Sequence, residues 1–317
     1  MTDRGPLTAV SPLDGRYARY TEPLVPYASE RALMRARVQV ETEYLIALAD
    51  LDAVPFSLSA AQRQQLRGIY DSFDGDDAAI VKQLETEGYG EYAATNHDVK
   101  AVEYFLRLRL PEEVDADQWI HFGLTSEDVN NLAHRLLVAG AVDEVLLPAL
   151  QAVRDDLVEL AQEYGDVPML ARTHGQPATP TTFGKEMAVY ASRLGRQIAR
   201  LQTAREELSG KLAGASGTYA AHHAAYPDVD WQSFARQFVD DLGFDHEPLT
   251  TQVNPCDDLA TLFDALRGAN NVLLDLDLDA WLYVSDRYLG QEAVEGETGS
   301  STMPHKVNPI DFENSEG

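Results

Sequence analysis

Helical periodicity is the feature that most constrains the fold of this chain. From Ala28 onward apolar residues recur at helical spacing, and patterns typical of strands are nearly absent. Three of the helical patterns are long: Thr125 towards Tyr164, Pro180 to Gly210, and Pro255 to Gly290. Helices of this length are rarely stable alone in water. The sequence therefore predicts an all-α, long-helix bundle that uses partner subunits to bury its apolar faces, with a monomeric bundle as the alternative.

The helical patterns divide the chain into two predicted domains. Residues 1–115 carry shorter patterns, including one over Ser29–Asp50, and predict a smaller N-terminal helical domain. Residues 116–317 predict the central long-helix bundle domain. This domain stops a few residues into a further helical pattern, so we expect it to be incomplete at its C-terminal end.

The first long helix carries its own start and break signals. The residues Thr125–Asp128 fit an [ST]-x-x-[DE] capping pattern. Pro148 lies inside the pattern and should kink the helix, or split it at Leu147, because proline removes a backbone donor and clashes with the preceding turn.

The composition is that of a strongly acidic globular protein. The formal net charge is −27, with 44% hydrophobic and 24% charged residues. This charge disfavours nucleic acid or an anionic membrane surface as a partner. A solvated acidic face is the simpler interpretation. Adaptation to high salt, in which screening weakens the repulsion between carboxylates, is the other.

Cysteine usage and the N-terminus indicate the compartment. Cys256 is the only cysteine, which excludes an intrachain disulfide and fits a reducing environment. Residues 1–9 lack the apolar segment of a secretory signal, and no uninterrupted apolar run reaches the roughly 20 residues that span a bilayer. We expect a cytoplasmic protein with no membrane partner.

Residues 299–309, GSSTMPHKVNP, concentrate groups that can bind a carboxylate. Lys306 supplies a positive charge, Asn308 an amide donor, and the start of the following helix a partial positive field. On composition alone, a polar turn before a helix is an equally good interpretation.

Residues 171–180, ARTHGQPATP, hold a histidine in a restricted turn. One glycine and two prolines limit the backbone, so His174 is presented from a turn rather than from an apolar helix face. This context favours acid–base chemistry for His174 over a structural role.

Both segments resemble those of a known superfamily. Residues 300–308 are similar to the signature loop of the fumarase/aspartase superfamily, and THGQPATP at 173–180 is similar to its histidine segment. Further segments resemble one family within it, the adenylosuccinate lyases: SPLDGRY at 11–17, TNHDVKAVEYF at 95–105, TSEDVNN at 125–131, AAYPDVDW at 224–231 and STMPHKVNPIDFENSEG at 301–317.

The resemblance implies a β-elimination that releases fumarate from adenylosuccinate, giving AMP, and from succinyl-aminoimidazole carboxamide ribotide in purine synthesis. It places the base at Ser300, rather than at Ser301, and the acid at His174. It implies that the substrate is bound by a further set of residues, namely Arg16, Tyr17, Asn96, His97, Asp98, Thr125, Ser126, Gln252, Lys306 and Asn308.

The resemblance also implies an assembly. Members of the superfamily are homotetramers whose central bundle uses the long helices of all subunits, and each active site takes segments from three chains. No metal or other cofactor is implied. The last third of the usual chain, with further phosphate-binding arginines, is missing here, so an inactive truncated fragment is one alternative. Another lyase of the superfamily, argininosuccinate lyase or fumarase, is the other, although His305 before Lys306 and the TSEDVNN segment argue against both.

Overall fold

The computed structural model describes residues 5–292, 302–303 and 306–317, and in these residues the chain is mostly helical. The α-helices are α1 (Ala18–Thr21), α2 (Val25–Ala28), α3 (Glu30–Leu48), α4 (Ala60–Asp71), α5 (Gly75–Thr86), α6 (Asp98–Arg109), α7 (Ser126–Ala141), α8 (Leu147–Glu163), α9 (Phe183–Glu206), α10 (Ala220–Ala225), α11 (Trp231–Asp241), α12 (Asp257–Ser285) and α13 (Ile310–Glu316). The strands are short: β1 (Gly88–Tyr89), β2 (Tyr92–Ala93), β3 (Pro168–Thr173), β4 (Gln176–Thr182), β5 (Ser209–Gly210) and β6 (Asp245–His246). The predicted all-α class is confirmed.

The chain forms two compact units, each built from two stretches of sequence. The first unit combines Met1–Val145 with Glu206–Asp258, and the second combines Leu146–Arg205 with Leu259–Gly317. The predicted division into domains between residues 115 and 116 stays a prediction.

The core of the first unit forms around α3, whose N-cap Ser29 accepts a hydrogen bond from the Ala32 N–H at 3.1 Å. Helices α4, α5, α6 and α7 pack against α3. Val38, Leu84 and Phe105 are fully buried between these helices. The apolar spacing of α3 thus positions α6 and α7, whose first residues carry several of the predicted site positions.

The first long helix changes its backbone hydrogen-bonding pattern just before Pro148. A π-helical turn, Val142–Leu146, follows α7, and α8 begins at Leu147 with Pro148 in its first turn. The helical stretch nevertheless runs without a gap from Ser126 to Glu163, so the predicted split at Leu147 does not occur. The π-helical turn changes the backbone hydrogen bonding just before Pro148, as is common where a helix must accommodate a local irregularity. The alternative, a kink at Pro148, stays a prediction.

The second unit contains α8, α9 and α12. At 29 residues, α12 is ~44 Å long at 1.5 Å per residue. Leu194 on α9 and Leu262 on α12 are fully buried. Gly184, at the start of α9, lies so close to α8 that a β-carbon there would be 2.4 Å from the Ala161 carbonyl oxygen. Small residues therefore allow the close approach of these helices.

One part of the second unit differs from the sequence prediction. The segment before α9 is an antiparallel hairpin of β3 and β4, and α9 begins at Phe183 rather than directly after Pro180. Proline cannot donate to a strand ladder and is unusual in a strand. The hairpin could not be predicted from the sequence because its strands contain Pro168, Pro177 and Pro180.

By length and composition alone, one helical stretch, Ser126–Glu163, could cross a membrane. Its most apolar window has a mean hydropathy of 1.7, and 17% of that window is buried. The core helix of a soluble protein can pass the same test of length and composition, so one such stretch is weak evidence for a membrane span. Asp143 and Glu144 are exposed near its middle, where charged groups would be costly in hydrocarbon.

Candidate functional site

Four predicted site residues come together in the first unit: three at the starts of α6 and α7, and one in the segment before α12. His97 is the N-cap of α6, and its Nδ1 accepts a hydrogen bond from the Lys100 N–H at 3.3 Å. In a neutral ring the hydrogen is then on Nε2, which lies 3.5 Å from the Ser126 hydroxyl oxygen. On the other side, the Gln252 amide lies 3.4 Å from the Thr125 hydroxyl oxygen. The arrangement places the exposed His97 and Gln252 beside the half-buried Thr125 and Ser126. The imidazole, amide and hydroxyl donors together suit a substrate rich in negative charge.

Asp98 is held as a carboxylate beside this surface. The Arg37 guanidinium donates to Asp98 Oδ2 at 2.6 Å and to the Asn130 side-chain oxygen at 2.9 Å. Partial burial favours the neutral acid, but the charge of Arg37, the Val99 N–H and the hydrogen bond from Arg37 outweigh it and lower the pKa of Asp98. The sequence reasoning missed Arg37, because nothing local marks an arginine on a buried helix face.

The remaining predicted residues of the first unit lie on two turns. Asn96 directly precedes His97, is exposed, and has a left-handed backbone (φ 49°) that asparagine tolerates well. Its N–H donates to the Glu85 carbonyl at 2.8 Å. Arg16 is exposed, with its guanidinium carbon 6.0 Å from the centre of the Tyr17 ring. The described contact of Arg16 is thus with its neighbour Tyr17 and not with the His97–Ser126 pair.

In the second unit, His174 forms the tip of the β3–β4 hairpin. His174 and Gly175 are the two loop residues, and both have positive φ, at 54° and 71°. Two such residues make a tight type I′ connection, which matches the twist of the paired strands. Arg172 pairs with Asp286 at 3.0 Å and fastens the hairpin to the chain just after α12. The prediction that a restricted turn presents His174 is confirmed, and its side chain is exposed.

The signature segment is described only in part. Ser300 and His305 lie outside the described residues. Lys306 is exposed, and its N–H donates to the Met303 carbonyl at 3.0 Å. Asn308 is half-buried just before α13, so the predicted helix after this segment is confirmed.

Sequence reasoning also missed a buried ion pair beneath the first cluster. The Nζ of Lys211 lies 3.0 Å from Asp128 Oδ1, and both side chains are fully buried. The available signal was weak: Lys211 is one of few lysines and is followed by apolar Leu212 and Ala213. Within the part of the chain that the structure describes, no group of three or more His, Cys, Asp or Glu side chains is arranged to hold a metal ion.

Comparison with known proteins gives a consistent result. The profile of the lyase family matches residues 15–317. Adenylosuccinate lyase of Haemophilus influenzae is 48% identical over 317 residues, which cover 98% of this chain and 67% of that protein. Adenylosuccinate lyase of Escherichia coli K12 gives the same figures, 48% identity with 98% and 67% coverage. That of Dictyostelium discoideum is 45% identical over 322 residues, with 98% and 67% coverage.

A solved structure supports the fold. The crystal structure of a fumarate lyase from Mesorhizobium sp. BNC1 superposes with a TM-score of 0.65 at 22% identity, covering 84% of this chain and 57% of that chain. The family profile and the identity to curated relatives together lead to one conclusion: this chain belongs to the adenylosuccinate lyase family.

Proposed function

We propose that this chain catalyses the β-elimination of fumarate from adenylosuccinate, giving AMP, and from succinyl-aminoimidazole carboxamide ribotide. The observation that carries the proposal is the 48% identity to curated adenylosuccinate lyases over 98% of the chain. The donor surface of His97, Ser126, Thr125 and Gln252 supports it, since the substrate carries carboxylates and a phosphate.

The reaction needs a base, an acid and a place for negative charge. Ser300 is the proposed base that removes a proton from the carbon next to a carboxylate of the succinyl group. The electron pair then forms the C=C bond of fumarate while the carbon–nitrogen bond to the amino group of AMP, or to the carboxamide of the ribotide, breaks. His174 protonates the departing nitrogen. A position at the tip of a tight hairpin suits His174 for this role, because the imidazole is displayed away from competing side chains.

The carbanion intermediate gathers charge on its carboxylate, and preorganised donors there should supply the largest catalytic effect. Lys306 and Asn308 are the proposed donors from the signature segment, with Thr125 and Ser126 from the start of α7. Gln252 contacts the substrate. Arg16 and Tyr17 bind the nucleotide, and Asn96, His97 and Asp98 line the site.

The proposed assembly is a homotetramer with shared active sites. Its support lies on α12, where Leu274, Leu278, Trp281 and Leu282 are between 38% and 51% exposed. These residues are spaced by four, three and one positions, so they form one apolar stripe along the helix. A stripe of this kind normally packs against another helix.

The test is an elimination assay on wild type and on His174→Ala and Ser300→Ala, followed as the loss of adenylosuccinate absorbance. Loss of the acid should lower kcat by about 10²–10⁴-fold, and loss of the base should be at least as damaging. His223→Ala, an exposed histidine, and Ser301→Ala, the neighbouring serine, are the matched controls and should retain activity.

Wild-type rates in His174→Ala or Ser300→Ala would reject the assigned roles. Elimination from argininosuccinate or malate in place of adenylosuccinate would instead assign the chain to another reaction of the superfamily.

A further inference from the structure

The buried pair of Lys211 and Asp128 has no role in the chemistry proposed above. Both side chains are 0% exposed, with Nζ and Oδ1 3.0 Å apart. Removing two charges from water is costly, and a neutral packed pair would often be as stable. The contacts of the pair therefore indicate what it contributes.

Asp128 fastens two segments together. Its carboxylate accepts hydrogen bonds from the Thr125 N–H at 2.8 Å, the Ala213 N–H at 2.9 Å and the Gly214 N–H at 3.1 Å. The first belongs to the turn that starts α7, and the other two belong to the segment after β5. Hydrogen bonds to an ionised acceptor are shorter and stronger than neutral ones, so this carboxylate holds both backbones firmly.

Lys211 adds a third segment. Its Nζ donates to the Gln252 carbonyl at 2.5 Å and the Gly214 carbonyl at 3.1 Å, with the Thr251 carbonyl at 3.4 Å. The side-chain amide of Gln252 then lies 3.4 Å from the Thr125 hydroxyl. The buried ammonium of Lys211 thus holds the backbone of Gln252, while the carboxylate of Asp128 holds the backbone of Thr125.

Close packing reinforces this arrangement. Gly217 follows in the same segment with φ 72°, and a β-carbon there would lie 2.2 Å from the Thr250 carbonyl oxygen. The segment after β5 therefore packs directly against the residues before Gln252. This contact restricts the backbone positions that both segments can adopt.

We infer that the Lys211–Asp128 pair is a positioning element for the elimination, which fixes Thr125 and Ser126 against Gln252 as one preorganised donor surface. The inference rests on the proposed function, which assigns these three residues to the substrate and to its developing negative charge. Preorganised donors stabilise a transition state only while their geometry is maintained.

The test compares two double variants of the full chain. Lys211→Met/Asp128→Asn removes the pair without leaving one charge orphaned. The matched control, Arg135→Met/Asp258→Asn, removes the second buried ion pair of the same unit, in which the atoms are 2.7 Å apart and the side chains are 1% and 7% exposed. Arg135 also donates to the carbonyls of Ser209 and Asn131 and lies 4.0 Å from the Cys256 Sγ, all outside residues 121–128 and 249–253.

The measurements are kcat and KM for adenylosuccinate per mole of folded protein, with folding checked by circular dichroism, and backbone hydrogen exchange. We expect the Lys211→Met/Asp128→Asn variant to lose about 100-fold in kcat, the size of effect that a misplacement of about 1 Å produces. KM should change far less, because the lost interactions act in the transition state. Exchange should accelerate in residues 121–128 and 249–253. The control should lose stability but keep its kcat and the protection of those residues.

The outcomes separate the two ideas. A wild-type chain that leaves adenylosuccinate intact contradicts the proposed function. Normal wild-type turnover, combined with an unchanged kcat in the Lys211→Met/Asp128→Asn variant, overturns the positioning role alone. An equal loss of kcat in both double variants would also overturn it, since the effect would then follow from lost stability.

Discussion

At the scale of single residues, burial controls the titration of His222. Its side chain is 0% exposed, and its Nε2 lies 3.0 Å from the Tyr44 hydroxyl. That hydroxyl donates to the Phe122 carbonyl at 2.8 Å, so the hydrogen between the two rings comes from His222. Burial lowers the pKa of His222 to about 4, with Asp128 opposing and His223 adding to the effect.

Because of His222, the free energy of unfolding should fall as the pH is lowered. The pKa of His222 in the folded chain is below the ordinary value of about 6.5. In acid the unfolded chain therefore binds a proton that the folded chain does not. The stabilisation present near neutrality is lost as the pH falls from about 6.5 towards about 4. Between about pH 7 and about pH 5 the loss should reach about 2 kcal/mol. In His222→Gln the acid-dependent part of the unfolding free energy should shrink by this amount. His223→Gln, the exposed neighbour, should keep it. Urea unfolding at both pH values measures the difference, and identical pH dependence in both variants would contradict it.

Residue-level sequence reasoning succeeded where the signal is local and failed where it is not. The capping residues at Thr125 and the turn that presents His174 are local patterns. The partners of Lys211 and Arg37 are not: Lys211 bonds to Asp128 and Gln252, and Arg37 bonds to Asp98, far away in sequence. Burial of these charges depends on contacts that only the folded chain creates.

At the scale of elements, the hairpin of β3 and β4 is the part of the fold that the sequence pattern did not predict. Within its two strands, Met169 is the one buried side chain. No alternation of buried and exposed residues therefore marks the strands, whereas each long helix has a periodic apolar face. The helices could be predicted from periodicity, but the hairpin could not.

Backbone conformation at the hairpin tip should affect catalysis. Gly175 has φ 71°, and a β-carbon there would meet nothing within 4 Å, so Gly175→Ala introduces backbone strain without a clash. The expected cost is about 1–2 kcal/mol of local stability, with a lower kcat because His174 shares the turn. Gly68→Ala, in the open middle of α4, should instead stabilise by about 0.5–1 kcal/mol. Thermal unfolding and adenylosuccinate turnover measure both variants. Wild-type turnover in Gly175→Ala would show that the glycine is dispensable.

At the scale of the whole molecule, the apolar stripe on α12 should determine the assembly. Leu278 is 46% exposed and Trp281 is 45% exposed. A Leu278→Glu substitution would place an unpaired carboxylate in the proposed apolar interface, which is costly. We expect the wild type to sediment as a tetramer and Leu278→Glu to dissociate and lose activity. Leu108→Glu changes a residue that is 40% exposed on α6 and should leave the assembly intact. Identical sedimentation of all three proteins would argue against this interface.

The interleaving of the two units affects how the protein can be made. The first unit takes residues from Met1–Val145 and from Glu206–Asp258, and the Tyr44 ring on α3 contacts Phe234 and Phe238 on α11. A nascent chain emerging from the ribosome cannot complete that core until α11 has left the exit tunnel. The apolar surface of the earliest helices therefore stays exposed while the whole of α8 and α9 is synthesised. Chaperones that shield newly made chains would have their greatest opportunity to act during this interval.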